Sequence, residues 1–171
     1  MTRKTPPAMP RASWPQGAEL IVDVVGIVPA AKGSMRGFVV NGRAIVTDSK
    51  GPRVKAFAAA LRDAALEALT KSGLACSVDQ PMEIQAAIYL PRPRATDRAE
   101  PWVAPDLDKL CRNVLDALTG VVYDDDSRVT RLVVQKKYAG ASHDVGIWLC
   151  ARVRPATRKE ANEWARGNTK P

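Results

Sequence analysis

Two stretches in which apolar residues recur at the helical spacing, residues 53–71 and 107–118, are divided by one stretch in which they alternate, residues 81–90. A segment of period 3.6 buries a stripe and a segment of period 2 buries a face, so the two kinds are built to pack on each other. In the first helical stretch Val54, Phe57, Leu61, Ala65, Ala68 and Leu69 share a face, and Gly73 is the expected stop. In the second, Leu107, Leu110, Cys111, Val114 and Leu118 share a face expected to pack on the sheet. Between them Met82, Ile84, Ala86 and Ile88 alternate with other residues. Further strands are expected at 19–28, ended by Pro29, and at 129–137 and 145–153, joined by a turn around Gly140 to His143. Residues 38–40 and 43–47 flank Asn41-Gly42, a strong two-residue hairpin signal. The order strand, hairpin, helix, strand, helix, strand, strand predicts an α+β fold: a two-layer sandwich with helices on one face of a mixed β-sheet.

A chain of 171 residues fits one domain. Its expected bounds are 18–153. Before it lies an arm, residues 1–17, whose four prolines predict disorder; after it lies a basic tail, 154–171, with a short helix reaching Trp164. Asp48 or Ser49 is the expected cap of the first helix. The loop 91–105 carries four prolines with Arg92, Arg94 and Arg98, and is long enough to suggest a functional loop. Cys76, Cys111 and Cys150 form no CxxC pair, which excludes a zinc ribbon or a disulfide framework and predicts buried thiols in a reducing cytoplasm. The one histidine, His143, excludes an HNH nuclease and a histidine-based zinc site and is expected in a turn. No apolar run approaches the ~18 residues of a membrane span, so a cytoplasmic protein without membrane contact is expected. Trp148 is expected in a strand core, whereas Trp102, in the long loop, is a candidate for stacking on bases.

Charge is distributed unevenly. The net charge is +8, but six acids fall between Asp106 and Asp126, leaving 24 basic against 12 acidic residues elsewhere. A cationic body attracts a polyanion, and an acidic spot holds a cation; together they suit a metal-using phosphodiesterase. Asp106 and Asp108 stand at the start of the second helix, and Asp108, Arg112 and Asp116 recur every four residues on a face of their own. Taken alone, Asp106 reads as an N-cap and Asp108 as a charge favoured by the helix dipole. Asp124, Asp125 and Asp126 change that balance, because three adjacent carboxylates repel unless something neutralises them. Oxygen donors with no cysteine or histidine beside them favour Mg²⁺ or Mn²⁺.

The stretch from Pro105 to Lys136 resembles the RusA-type Holliday-junction resolvases. The residues that carry the resemblance are Asp106-Leu107-Asp108 at a helix start, the basic Arg112 one turn on, Asp116-Ala117-Leu118, then Asp125-Asp126-Ser127-Arg128-Val129 before a strand that carries Lys136. Two positions differ from the usual pattern: Lys109 stands where asparagine is common, and Arg112 where lysine is. The resemblance implies a Mg²⁺-dependent endodeoxyribonuclease acting on four-way DNA junctions in recombination and repair, in a phage or its host. It implies metal ligands Asp106, Asp108 and the second aspartate of the pair, Asp126, with Asp125 as the alternative. Arg112 and Lys136 would then meet the scissile phosphate, and Lys32, Arg36, Arg92, Arg94 and Lys109 would bind DNA. Rival readings are a nuclease that prefers forks or flaps and a non-catalytic branched-DNA-binding protein. Two matched cuts need two sites, and the chain has one aspartate motif, so a homodimer is expected, through the helix 53–71 or a sheet edge.

Overall fold

The computed structural model describes residues 11–33, 36–47 and 51–167. Six strands and three helices follow in the order β1 (Glu19–Val25), β2 (Arg36–Val40), β3 (Arg43–Thr47), α1 (Pro52–Ser72), β4 (Met82–Leu90), α2 (Leu107–Leu118), β5 (Val129–Tyr138), β6 (Gly146–Val153) and α3 (Arg158–Gly167). Four strands form one mixed sheet in the order β1-β6-β4-β5, in which β4 and β5 run parallel and the other pairs antiparallel. The expected α+β architecture is therefore present. The hairpin β2–β3 stands as a separate two-stranded sheet, and its turn residues Asn41 (φ 50°) and Gly42 (φ 74°) are both left-handed, as a two-residue hairpin turn requires.

Helices α1 and α2 lie on one face of the sheet. Phe57, Leu61, Ala65 and Leu69 of α1 are fully buried, together with Leu110, Val114, Ala117 and Leu118 of α2 and the inward residues Met82, Ile84, Ile88, Ile147 and Leu149 of the sheet. Each large side chain so buried contributes about 1.5–3 kcal/mol. Two side chains brace the helices. Asn113 is buried and donates to the carbonyl of Ala30 (2.8 Å), and Arg62 donates to the carbonyls of Ala117 and Thr119 (3.1 Å each) at the end of α2.

The opposite face of the sheet leaves Ile21, Val25, Val133 and Trp148 exposed. Across it Glu83 is almost wholly buried and meets Arg131 (2.9 Å), Arg152 (3.1 Å) and Arg154 (2.7 Å). Burial alone raises the pKa of this carboxyl. Hydrogen bonds from Gln85, Arg131 and Arg154 and the charge of Arg152 outweigh it and hold the pKa at about 2.

Several expectations are corrected. Trp14, inside the stretch expected to be disordered, is buried; its indole N–H donates to the carbonyl of Ala75 (2.6 Å), and its carbonyl accepts from Gln80 (2.9 Å). Residues 11–17 thus belong to the folded body, and residues 1–10 lie outside the described residues. Strand β1 stops at Val25 instead of Val28, because the chain turns at Gly26, whose N–H bonds to the carbonyl of Val145 (2.8 Å). Gly51 occupies the N-cap of α1 with Pro52 following, and the expected caps Asp48 and Ser49 fall outside the described residues. Trp148 is 37% exposed on the open face, because Ile147 and Leu149 on either side of it take the inward positions. Cys76 and Cys150 are buried as expected, whereas Cys111 is only half-buried. His143 does sit in the β5–β6 turn, with its ring stacked on Tyr89 at 4.5 Å. In the tail, Thr157 and Glu160 cap α3 reciprocally: Glu160 accepts from the Thr157 N–H (3.1 Å), and its own N–H donates to the Thr157 hydroxyl (3.2 Å).

Candidate active site

Helix α2 is the connection between the parallel neighbours β4 and β5, so its exposed side faces the edge of the sheet at β5. Its core stripe fixes its rotation. With Leu110, Val114, Ala117 and Leu118 turned inward, residues 108, 111, 112 and 115 fall on a common outer stripe at helical spacing. That stripe forms one wall of an open cleft of about 550 Å³, lined by Leu107, Asp108, Cys111, Arg112 and Leu115 of α2, by Leu132 and Val134 of β5, and by Asp126. Asp126 begins a single 3-10 turn, Asp126–Arg128, that leads directly into β5. Leu107 and Cys111, expected to pack on the sheet, line this cleft instead. The cleft wall between the charged groups is therefore apolar and weakens competing solvation of a charged ligand.

The six acids of the segment divide into two classes. Asp106 is the N-cap residue of α2, yet its side chain caps nothing; it pairs with Lys109 at 2.7 Å. That hydrogen bond and charge hold the Asp106 carboxyl below its ordinary range. Asp116 pairs with Lys32, which lies 84 residues earlier in the chain. Asp124 pairs with Arg128 (3.1 Å), which lowers its pKa, and Arg128 also reaches Asp79 (3.2 Å). Asp125 accepts from the Ser127 N–H (2.9 Å) and caps the 3-10 turn, and hydrogen bonds from the Ser127 side chain and N–H hold its carboxyl below its ordinary range. Only Asp108 and Asp126 have side chains with neither an ion pair nor a hydrogen bond among the described residues, and both line the cleft. Tyr123, wholly buried beneath this segment, donates to the carbonyl of Leu115 (3.1 Å) and is pushed far up by burial, with the charges of Asp126 and Asp116 adding to the effect.

The expected site residues are thus brought together in part. Asp108, Asp126 and Arg112 share the cleft, whereas Asp106 is turned to Lys109, and no group of three acidic side chains gathers among the described residues. Lys136 does not face the cleft as a free phosphate contact. Its ammonium donates to the carbonyls of Val103 (2.7 Å) and Pro105 (2.9 Å) and so anchors the chain just before Asp106. Lys32 is committed to Asp116, and Arg92 lies over the Tyr138 ring at 4.7 Å. Arg94 is exposed, and the side chain of Arg36 lies outside the described residues. Sequence reasoning missed the anchoring role of Lys136, for which no local signal exists, because the partners lie more than thirty residues away and are backbone oxygens.

The profile of the family described as Endodeoxyribonuclease RusA matches residues 28–149. The chain belongs to the RusA endodeoxyribonuclease family. The match spans the hairpin, both core helices, the cleft and the first half of β6. The chain is also 28% identical over 124 residues to Uncharacterized protein YqaN of Bacillus subtilis (strain 168), covering 65% of this chain and 82% of that protein. Family membership makes the chain an endodeoxyribonuclease. Among the described residues no helix is long and apolar enough to cross a membrane.

Proposed function

We propose that the protein is a divalent-cation-dependent endonuclease that resolves four-way DNA junctions, with Asp108 and Asp126 at the centre of its active site. The observation that carries this reading is the pairing pattern of the acidic segment. Four of its six carboxylates are neutralised or hydrogen-bonded within the chain, and the two left over line one cleft beside Arg112. The family supplies the junction as substrate class.

The donor chemistry fits Mg²⁺ or Mn²⁺, since the cleft offers carboxylate oxygens and Cys111 is only half-buried and has its pKa raised by burial, which disfavours the thiolate. Asp108 and Asp126 would hold the cation, and Asp106 would join them once Lys109 turns to a phosphate. A divalent cation bound there supplies an activated water and neutralises charge on the phosphoryl oxygens. The chain's own groups do the rest. Arg112 presents a guanidinium fork to the scissile phosphate. The excess of basic residues outside the acidic segment draws the DNA in. Lys136 keeps the entrance of α2 in place by holding the two carbonyls before Asp106.

Resolution requires two matched cuts, and we place the second site on a second copy of the chain. The open sheet face supports this better than the surface of α1 does. Ile21, Val25, Val133 and Trp148 are 58%, 59%, 45% and 37% exposed on it. One edge of that face is acidic (Glu19, Asp23) and the other basic (Arg131, Lys137), so a two-fold axis along the strands sets each edge over its opposite. The reading is tested by incubating the protein with a synthetic four-way junction and with linear duplex, with Mg²⁺ and with EDTA. Paired cuts in the junction with Mg²⁺ alone are expected. Binding without any cleavage in Mg²⁺ or Mn²⁺ would instead leave a non-catalytic junction binder, and faster cutting of forks or flaps would replace the substrate.

A further inference from the structure

The loop between β4 and α2 is tied down along its length, yet it leaves its largest side chain in water. Arg92 lies over the ring of Tyr138, the last residue of β5, and donates to the carbonyl of Arg98 (2.9 Å). Arg98 in turn lies over the ring of Trp102 at 4.5 Å. The next residue, Val103, is held through its carbonyl by Lys136 (2.7 Å). Trp102 is therefore fixed from both sides, by a chain of guanidinium–aromatic contacts and by a backbone anchor, and it is still 71% exposed. Within the chain this arrangement gains little. An indole left in water forgoes the burial for which its area is suited, and two arginines are spent on holding it. Asp106 is four steps along the chain from it, so at about 3.8 Å per step its backbone lies within about 15 Å of the acidic helix entrance.

A flat apolar ring with a guanidinium on it fits one chemical feature that distinguishes branched from linear DNA. In a duplex the base-pair faces cover one another, whereas at a branch point the pairs that end each arm present a face that an aromatic side chain can cover. The cation attracts the surrounding phosphates at the same time. We propose that Trp102 is a specificity-determining residue that stacks on a base pair exposed at the branch point, with Arg98 orienting its ring. This rests on the reading of the protein as a branched-DNA nuclease, and it names the group that would select the branch.

The test uses the full chain in EDTA, so that binding is read without cleavage. A four-way junction carries 2-aminopurine at the branch point, and a linear duplex of the same arm sequence carries it at mid-arm. Wild-type protein is expected to bind the junction more tightly and to change the fluorescence at the branch point only. Trp102→Ala is expected to weaken junction binding about tenfold, to leave duplex binding within about twofold and to abolish the fluorescence change, whereas Trp102→Phe keeps most of both. Arg98→Ala is expected to fall between them. Unchanged junction preference and fluorescence in Trp102→Ala would overturn the proposal, as would a change in that variant's oligomeric mass, which would make the ring a protein contact. A wild-type protein without preference for the junction would overturn the functional reading beneath it.

Discussion

At the scale of single residues, the acidic segment shows what a sequence can and cannot disclose. The carboxylates announce themselves through their number and through their positions at a helix start and before a strand. Which of them remain available depends on partners that the local sequence does not reveal. Lys109 takes Asp106, Arg128 takes Asp124, the Ser127 N–H takes Asp125, and Lys32 reaches Asp116 from a distant part of the chain. Arg112 lines the cleft with Asp108 and Asp126, and under the proposed function its charge would meet the reacting phosphate. Arg112→Ala is expected to slow junction cleavage by at least about tenfold while changing affinity by about threefold or less, a loss of roughly 1.4 kcal/mol or more in the transition state. Rates under single turnover beside affinities in EDTA check this, and equal losses in both would mark Arg112 as an ordinary phosphate contact. Lys136 acts through its grip on the carbonyls of Val103 and Pro105, so Lys136→Met is expected to raise protease sensitivity in residues 91–105 as well as slow cleavage. A purely catalytic lysine would leave the proteolysis pattern unchanged.

At the scale of elements, period decided legibility. β1 and β4 place their inward residues at alternate positions, and α1 and α2 carry single stripes, so all four were readable. In β6 both phases are apolar, with Ile147 and Leu149 inward and Trp148 and Cys150 outward, and the outward tryptophan could not be told from a core one. Trp14 was hidden by the prolines around it, since its partners Ala75 and Gln80 are 61 and 66 residues on. Two features of the sheet carry predictions. Gly146 opens β6 at φ 157°, and a Cβ there would lie 1.9 Å from the carbonyl oxygen of Val24. Gly146→Ala is therefore expected to destabilise the fold by at least about 3 kcal/mol in urea unfolding, and a change under about 1 kcal/mol would refute that packing. Glu83 is held at about 2, below its ordinary 4.5, so its contribution is fully present above pH 4.5 and is lost as the pH falls toward 2. That shift corresponds to about 3 kcal/mol. Glu83→Gln is expected to lower stability at pH 7 by about that order and to flatten the acid limb of the stability curve between pH 4.5 and 2. Parallel acid limbs for the two proteins would contradict it.

At the scale of the whole molecule, the two faces of the sheet have different work. One is covered by α1 and α2 and carries the cleft along α2; the other leaves Trp148 exposed on the inner strand β6 and carries opposite charges on its two edge strands, β1 and β5. A homodimer through the open face is expected to survive Ala59→Asp on α1 and to be broken by Trp148→Asp, with light scattering as the readout. A dimer indifferent to Trp148→Asp would move the interface elsewhere. The central claim is that the unpaired carboxylates of the cleft perform the cleavage. It is tested most directly by comparing Asp108→Asn, Asp126→Asn and Asp125→Asn on a four-way junction in Mg²⁺, with affinity measured in parallel in EDTA. The account predicts that the first two lose cleavage by at least about a hundredfold, more than about 2.7 kcal/mol, and keep junction affinity within about threefold, while Asp125→Asn retains most of the activity. Wild-type cleavage by Asp108→Asn or Asp126→Asn, or its loss only in Asp125→Asn, would contradict it.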